Sequence, residues 1–155
     1  MTIAVDSNIL FDILLPDPEY VEQSLSQLTL YGKQHRLIIS EIVYAELAAQ
    51  FPEEESLLKF FSNTDIYLVN SGSEALWNAA KAWNNYTKKR GRQLRCTKCG
   101  NAQELNCSEC NNAIVSRQHI ISDFLIGGHA LYHAGALLTR DRGYYRHYFP
   151  ELKLV

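Results

Sequence analysis

Four acidic residues occupy positions at which chemistry is possible. Two of them follow an apolar segment, and two lie within segments that have a helical pattern. Asp6 follows "IAV", Asp141 follows "ALLTR", and Glu46 and Asp123 lie within "EIVYAEL" and "SDFLIGGHAL". Carboxylates are hard oxygen ligands that suit Mg²⁺ or Mn²⁺. Acids gathered from distant parts of a chain repel one another, and a bound cation offsets that repulsion. The set predicts a divalent-metal site, although each acid alone is also explained as a helix cap or turn residue.

Four cysteines form two C-x-x-C pairs separated by seven residues. The pairs are Cys96 with Cys99 and Cys107 with Cys110. Four thiolates in two such turns predict a closed tetrahedral Zn²⁺ site of structural type, a miniature zinc ribbon. Gly100 and Asn111 follow the second cysteine of each pair, where a thiolate knuckle often needs a left-handed backbone. Iron with the same ligands and two disulfides remain alternatives.

Short apolar segments alternate with amphipathic ones along the chain. Predicted strands cover residues 3–5, 37–39, 66–69, 136–138 and 152–154, and predicted helices cover 17–30, 40–50, 52–62, 73–91 and a segment from Ser122 or Asp123. Such alternation predicts an α/β fold with a parallel sheet covered on both faces. Ligands of such sheets gather beyond the carboxyl ends of the strands, where Asp6 and Asp141 would lie. No internal repeat is apparent.

The ordered segments "AVDSNILFDILL", "ISEIVYAELA", "SDFLIGGHAL" and "LLTRDRGYYRHYFPELKLV" resemble the PIN-domain ribonucleases. The resemblance is strongest to the VapC-type toxins of toxin–antitoxin pairs, and it covers nearly the whole chain. It implies a PIN-like three-layer α/β/α fold with a short, mostly parallel sheet in a single domain of residues 1–155. Residues 91–116, which carry the cysteines, are an insertion that most toxins of this kind lack.

The resemblance also implies a function and a set of roles. The chain would be a Mg²⁺- or Mn²⁺-dependent endoribonuclease that hydrolyses RNA phosphodiester bonds, neutralised by an antitoxin and assembled as a homodimer. The implied central metal ligands are Asp6, Glu46 and Asp123, the implied peripheral acid is Asp141, and the implied supporting side chains are Ser7, Asn8 and Thr139. Two alternatives remain: an RNA-processing endonuclease of rRNA or tRNA maturation, and a non-catalytic zinc-stabilised RNA-binding module.

The net charge of −2 conceals an asymmetry between the two halves of the chain. Residues 1–74 hold twelve acids and three bases, a net −9, whereas residues 75–155 hold twelve bases and five acids, a net +7. A basic segment beside an acidic site suits a phosphate backbone, although it also suits a solvated helix end. The predicted RNA-binding residues are Lys88, Lys89, Arg90, Arg92, Arg95 and Lys98.

The composition also bears on compartment and packing. No apolar run is long enough to cross a bilayer, and the N-terminal segment lacks the basic leader of a signal peptide. Metal-binding cysteines together with this N-terminus predict a reducing cytoplasm. Gly127 and Gly128 predict close packing of their helix against a neighbour. The aromatic segment "YYRHYF" is interpreted as packing on the sheet edge or in a dimer interface, with base stacking as the alternative.

Overall fold

The computed structural model describes residues 1–89, 94–95, 102–114 and 120–155. Its strands are β1 (Thr2–Val5), β2 (Arg36–Ile39), β3 (Ile66–Leu68), β4 (Leu94–Arg95), β5 (Ala102–Gln103), β6 (Leu105–Asn106), β7 (Ala113–Ile114) and β8 (Ala136–Leu138). Its helices are α1 (Ser7–Leu14), α2 (Val21–Gln34), α3 (Glu41–Ala48), α4 (Glu54–Thr64), α5 (Ser73–Lys89), α6 (Ile121–His133) and α7 (Arg142–Tyr148). The predicted α/β class is confirmed.

The central sheet has four parallel strands in the order β3-β2-β1-β8. The chain first winds in one direction, from β1 through β2 to β3, and then crosses back to place β8 on the other side of β1. Right-handed crossovers put the helices of the two directions on opposite faces, which gives the PIN-like three-layer α/β/α arrangement. Such a reversal of direction also marks where these sheets bind ligands.

Strands β1, β2 and β8 form the centre of the core. Ile3, Ile38 and Leu138 are almost completely inaccessible to solvent. Strands covered on both faces consist of continuous β-branched and aliphatic residues, which is the composition of "IAV", "LII" and "ALL". The first polar residue after each strand therefore leaves the core at the carboxyl edge of the sheet.

Helix α6 packs closely against α5 at Gly128 and against the Phe149 ring at Gly127. A Cβ atom on Gly128 would lie 2.5 Å from the Ala75 carbonyl oxygen, and one on Gly127 would overlap the Phe149 ring. Real Cβ atoms do not approach other atoms this closely, so larger residues would push the helices apart. The predicted close packing of this glycine pair is confirmed, and it fixes the position of α6 over the sheet.

Several predicted boundaries differ from those observed. The helix predicted over 17–30 covers Val21–Gln34, and residues 152–154 make one parallel bridge, between Leu154 and Leu137, rather than a strand. Helices α1 and α7 were not predicted. Ser40 is an N-cap as predicted, since its hydroxyl accepts a hydrogen bond from the Val43 amide at 3.3 Å.

The described part of the cysteine-bearing segment contains two pairs of short antiparallel strands. In one, Leu94 pairs with Gln103, and in the other, Leu105 pairs with Ile114. The aligned sequences "LRCTKCGNAQ" and "LNCSECNNAI" share the leucine, both cysteines, an asparagine and an alanine. The expectation of no internal repeat was therefore wrong, because ten residues are too short to register as a domain-scale period. None of the helices in the described ranges is long and apolar enough to cross a membrane.

Candidate active site at the carboxyl edge of the sheet

The strand register brings the first and last parts of the chain together. Val5 on β1 lies opposite Leu138 on β8, and the Asp6 amide donates to the Leu138 carbonyl at 3.0 Å. The next residues, Asp6 and Thr139, consequently leave the sheet side by side. Both side chains are buried, with exposed fractions of 5% and 2%.

The carboxylate of Asp6 is held by side chains rather than used as a helix cap. Thr139 Oγ1 and Asn8 Nδ2 donate to Asp6 Oδ2 at 2.7 and 2.8 Å, and Ser7 Oγ lies 3.4 Å from Oδ1. Asp6 occupies the N-cap position of α1, yet its side chain makes no capping hydrogen bond. The capping explanation therefore fails for Asp6, and the predicted contacts of all three supporting side chains with it are present.

Two further acids act on Asp6 electrostatically. The pKa of Asp6 is raised to about 6, first by burial and then by the charges of Asp123 and Glu46, against the lowering effect of the Thr139 hydrogen bond. Glu46 is half-buried on α3, and Asp123 is half-buried in the first turn of α6. The fold thus places three of the four predicted acids within electrostatic reach of one another.

Two tyrosines border this acidic group. Tyr145 is buried, and burial together with the charges of Asp6 and Asp123 raises the pKa of its hydroxyl well above the ordinary value, so the hydroxyl keeps its proton and hydrogen-bonds to Asp6. Burial and then the charge of Asp123 likewise raise the pKa of Tyr144. The packing interpretation of the aromatic segment holds for both rings, but sequence reasoning missed their contact with the acidic group.

Asp141 differs from the other three acids. It is exposed at the N-cap of α7, where its Oδ1 accepts a hydrogen bond from the Tyr144 amide at 3.2 Å. Its own amide donates to Thr139 Oγ1 at 3.0 Å, which links it to Asp6 through one hydroxyl. The capping explanation is therefore correct for Asp141, and its place at the rim agrees with the peripheral role that the resemblance implies. Asp123 also caps, because its Oδ2 accepts from the Ile120 amide at 3.3 Å.

The donor set suits a hard, partly hydrated cation. Asp6 and the two acids whose charges oppose its ionisation, Asp123 and Glu46, would gain from a bound divalent ion. Among the residues that the structure describes, no three His, Cys, Asp or Glu side chains are close enough together to enclose a metal ion. Mg²⁺ keeps several water ligands and does not need an all-protein cage, so carboxylates that are farther apart can hold it partly through those waters.

A second charged network adjoins the acidic group. Asp12 on α1 is 3% exposed. Its Oδ2 accepts a hydrogen bond from Ser24 Oγ at 2.6 Å, and its Oδ1 forms a salt bridge with Arg140 Nη2 at 2.9 Å. The Arg140 guanidinium also lies 4.1 Å from the centroid of the Tyr20 ring. Sequence reasoning missed this pair, although an aspartate inside "NILFDILL" was a signal for it, because a charge buried in an apolar helix needs a partner.

The predicted basic stretch is described only in part. Lys88 and Lys89 are exposed at the C-terminal end of α5, and the backbone of Arg95 lies in β4. The predictions for Arg90, Arg92 and Lys98 and for the side chain of Arg95 lie outside the described residues, as do those for Cys96 and Cys99.

The second cysteine pair has the geometry of a thiolate knuckle. Asn111 has a φ of 57°, in the predicted left-handed region, and its amide donates to the Cys107 carbonyl at 2.9 Å. The amides of Cys110 and Glu109 point at the Cys107 thiol and lower its pKa. Cys107 and Cys110 form no disulfide. The left-handed backbone predicted after the second cysteine of this pair is therefore present at Asn111.

Replacing Asp6 with Asn is expected to stabilise the metal-free chain at neutral pH. Folding raises the pKa of Asp6 from 3.8 to about 6, so the ionised carboxylate destabilises the folded state above pH 6 and not below pH 3.8. The full rise corresponds to about 3 kcal/mol. The free energy of unfolding is measured with urea in the presence of a chelator. The value for Asp6→Asn should exceed the wild-type value only slightly near about pH 4, and by roughly 1 to 3 kcal/mol near about pH 8.

Asp65→Asn is the matched control for this stability measurement. Asp65 is exposed at a left-handed position with a φ of 51°, which asparagine also adopts readily. Its replacement should leave the pH dependence of the unfolding free energy unchanged. An Asp6→Asn variant that is equally destabilised at both pH values would mean that folding does not raise the pKa of Asp6, because its hydrogen bonds offset burial and repulsion.

Comparison with known proteins supports the same architecture. The PIN domain family matches residues 3–150 of this chain. No curated protein matches the sequence. The fold is similar to VapBC2 from Rickettsia felis bound to a promoter DNA fragment, with a TM-score of 0.62 and 19% identity over 100% of this chain and 98% of that one.

Two other solved structures are similar to nearly the same extent. VapBC-1 from nontypeable Haemophilus influenzae has a TM-score of 0.61 at 19% identity, over 100% of this chain and 97% of that one. FitAcB from Neisseria gonorrhoeae has a TM-score of 0.59 at 18% identity, over 98% of this chain and 95% of that one. At these identities the likeness establishes the fold.

Proposed function

This chain belongs to the PIN domain family, and from that premise we propose that it is a metal-dependent endoribonuclease that hydrolyses RNA phosphodiester bonds. PIN domains are generally metal-dependent nucleases. The observation that carries the proposal is the buried Asp6 carboxylate, which caps no helix and whose pKa is raised further by the charges of two other acids. A carboxylate group destabilised in this way is typical of a functional site rather than of a structural one.

In this proposal each described side chain has a defined task. A bound Mg²⁺ or Mn²⁺ would activate water and offset negative charge on the phosphate. Asp6, Glu46 and Asp123 would hold it, and one of these carboxylates would accept the proton of the attacking water. Thr139 and Asn8 orient Asp6 through its Oδ2 atom, with bonds of 2.7 and 2.8 Å. The exposed Asp141 would act from the rim of the site.

We further propose that the nuclease is the toxin of a toxin–antitoxin pair. VapBC2 and VapBC-1 share its fold over the whole chain, and the VapBC2 structure contains promoter DNA. A toxin of this kind would be bound by a small antitoxin protein and would act as a homodimer. Residues 1–155 would then form a single domain, with the cysteine-bearing segment inserted at 91–116.

The chemistry of the products tests the hydrolytic proposal. Attack by water does not need the ribose 2′-hydroxyl, so an RNA with a 2′-deoxy nucleotide at the cut should be cleaved at a comparable rate. The products of unmodified RNA should carry no 2′,3′-cyclic phosphate. Cleavage that requires the 2′-hydroxyl and leaves cyclic phosphate ends would instead indicate attack by the RNA itself, without hydrolysis by activated water.

For the insertion we propose one structural Zn²⁺ held by Cys96, Cys99, Cys107 and Cys110. The proposal is supported by the left-handed Asn111 and by the repeated sequences around the two C-x-x-C pairs. Thiolates are soft ligands, so this site should not exchange its metal with the carboxylate site. Iron remains an alternative occupant of the same ligand set.

Metal analysis of the purified chain is expected to give one zinc per chain. Cys107→Ser with Cys110→Ser should remove it, because two remaining thiolates cannot close a tetrahedral site. Ser108→Ala lies in the same turn and is the matched control, and it should keep the zinc. Equal zinc content in the double variant and the control would show that these cysteines do not bind the zinc. One iron per chain in place of zinc would show that iron is the metal of this site.

A further inference from the structure

A pocket of about 630 Å³ opens beside the acidic group at the carboxyl edge of the sheet. Its size is within the range of ligand sites, roughly 300–1,000 Å³. Asn8 and Thr139 line it and also contact the Asp6 carboxylate, so pocket and acidic group share a wall. A molecule in the pocket would therefore lie next to the acidic group, where the proposed hydrolysis takes place.

The pocket contains a cation whose orientation is fixed. The Arg140 guanidinium is held on one edge by the buried Asp12 and on one face by the Tyr20 ring, and 36% of its side chain remains exposed. Arginine carries five N–H donors in a planar fork that matches phosphate geometry. An arginine already held in place loses little conformational freedom when it binds, which favours affinity.

The remaining lining is polar and suits the edge of a base. Gln23 and Gln27 lie one helical turn apart on α2, so their side chains project on the same face. A primary amide both donates and accepts hydrogen bonds, as base edges do. Arg142 adds a second exposed cation to the lining. Asp141 is the one acid among the described lining residues, and its carboxylate accepts a hydrogen bond from the Tyr144 amide in the first turn of α7.

We propose that this pocket binds the nucleotide adjoining the cleaved phosphate of a single-stranded RNA segment, with Arg140 on its phosphate and Gln23 and Gln27 on its base. The inference rests on the proposed ribonuclease function, because it places the substrate of the same site. Single-stranded segments present their bases for such contacts, whereas paired bases do not. Arg140 is a positioning residue here, and the two glutamines determine sequence preference.

Affinity for uncut RNA tests the pocket apart from cleavage. All variants are made in the full chain carrying Asp6→Asn, and fluorescence anisotropy is measured with labelled oligo(A), oligo(C), oligo(G) and oligo(U) at several salt concentrations. Arg140→Ala alone would leave Asp12 buried without its partner, so Arg140→Gln is combined with Asp12→Asn to remove both charges. The matched control is Arg36→Gln, since Arg36 also lies over a tyrosine, Tyr67, but at the amino end of β2.

The double charge variant is expected to weaken binding about tenfold and to reduce the slope of log affinity against log salt by about 0.7, the contribution of one phosphate contact in a single strand. Gln23→Ala with Gln27→Ala should reduce the preference among the four oligomers about tenfold, while Gln34→Ala on the same helix should not. Arg36→Gln should change neither quantity.

Each contrary result has a defined meaning. Unchanged affinity and salt slope in the charge variant would overturn the phosphate contact, and equal affinity of the parent chain for all four oligomers would overturn base reading. Normal RNA affinity combined with lost antitoxin binding would assign the pocket to a protein partner and overturn the proposal. Because the RNA stays intact, these results stand even if the wild-type chain proves unable to cleave RNA, which would refute the nuclease function alone.

Discussion

Asp6→Asn is expected to lower the rate of RNA cleavage at least about a thousandfold, the scale of loss seen when a member of a catalytic group acting as a unit is removed. The variant keeps the shape of the side chain but loses the charge that would hold the metal ion. Since Asn8, Thr139 and Tyr145 all donate toward this carboxylate, the substitution also replaces one acceptor oxygen of the hydrogen-bond network with an NH2 donor. Single-turnover cleavage of labelled RNA measures the rate.

Glu46→Gln and Asp123→Asn are expected to give comparable losses, because both charges act on Asp6. Asp141→Asn should be milder, since Asp141 is exposed and its carboxylate already caps α7. Glu151→Gln, at an exposed position after α7, is the matched control and should cleave normally. Retained cleavage in either of the first two variants would remove that residue from the site, and a loss for Asp141→Asn equal to that for Asp6→Asn would show the ranking of the acids to be wrong.

Expression of the wild-type chain alone in a bacterium is expected to arrest growth. A nuclease that cuts cellular RNA without its inhibitor would stop protein synthesis, and the Asp6→Asn chain should be harmless at an equal expression level. Co-expression with the small protein encoded beside this chain should restore growth to the wild type. Colony counts and growth curves of the paired strains measure both effects.

The alternative function, RNA processing, predicts a different result in the growth experiment. An RNA-processing enzyme of rRNA or tRNA maturation would cleave RNA in vitro without arresting growth when expressed alone. Harmless expression of a chain with proven nuclease activity would therefore decide for RNA processing. Growth arrest that is equally strong with Asp6→Asn would have a cause other than catalysis.

The sequence predicted the sheet and its functional edge because both depend on short-range patterns. Continuous apolar segments such as "LII" predict buried parallel strands, and the polar residue after each must lie at the carboxyl edge. That reasoning placed Asp6 and Asp141 at this edge. The register of Val5 against Leu138 explains why Asp6 touches Thr139, whose supporting role only the resemblance implied. It also located Ser40, whose capping role follows from local geometry alone.

The tertiary contacts of the site were beyond these patterns. Asp6 and Asp141 both precede a helix, and only the packing shows that Asp141 caps its helix while Asp6 does not. Tyr145 lies on α7, which was not predicted, so its place beside Asp6 was not predicted either. The pair of Asp12 with Arg140 joins residues far apart in sequence, so no local pattern could have assigned the partner.

The decisive measurement is RNA cleavage by the wild-type chain after removal of divalent ions and during titration with Mg²⁺ or Mn²⁺, with Asp6→Asn measured in parallel. We expect the stripped wild-type chain to be inactive and to recover full activity as either ion is added, because its three carboxylates need a cation to act together. We expect Asp6→Asn to stay inactive throughout the titration. Cleavage by the stripped wild-type chain, or equal cleavage by Asp6→Asn at saturating ion, would contradict a metal-dependent nuclease centred on Asp6.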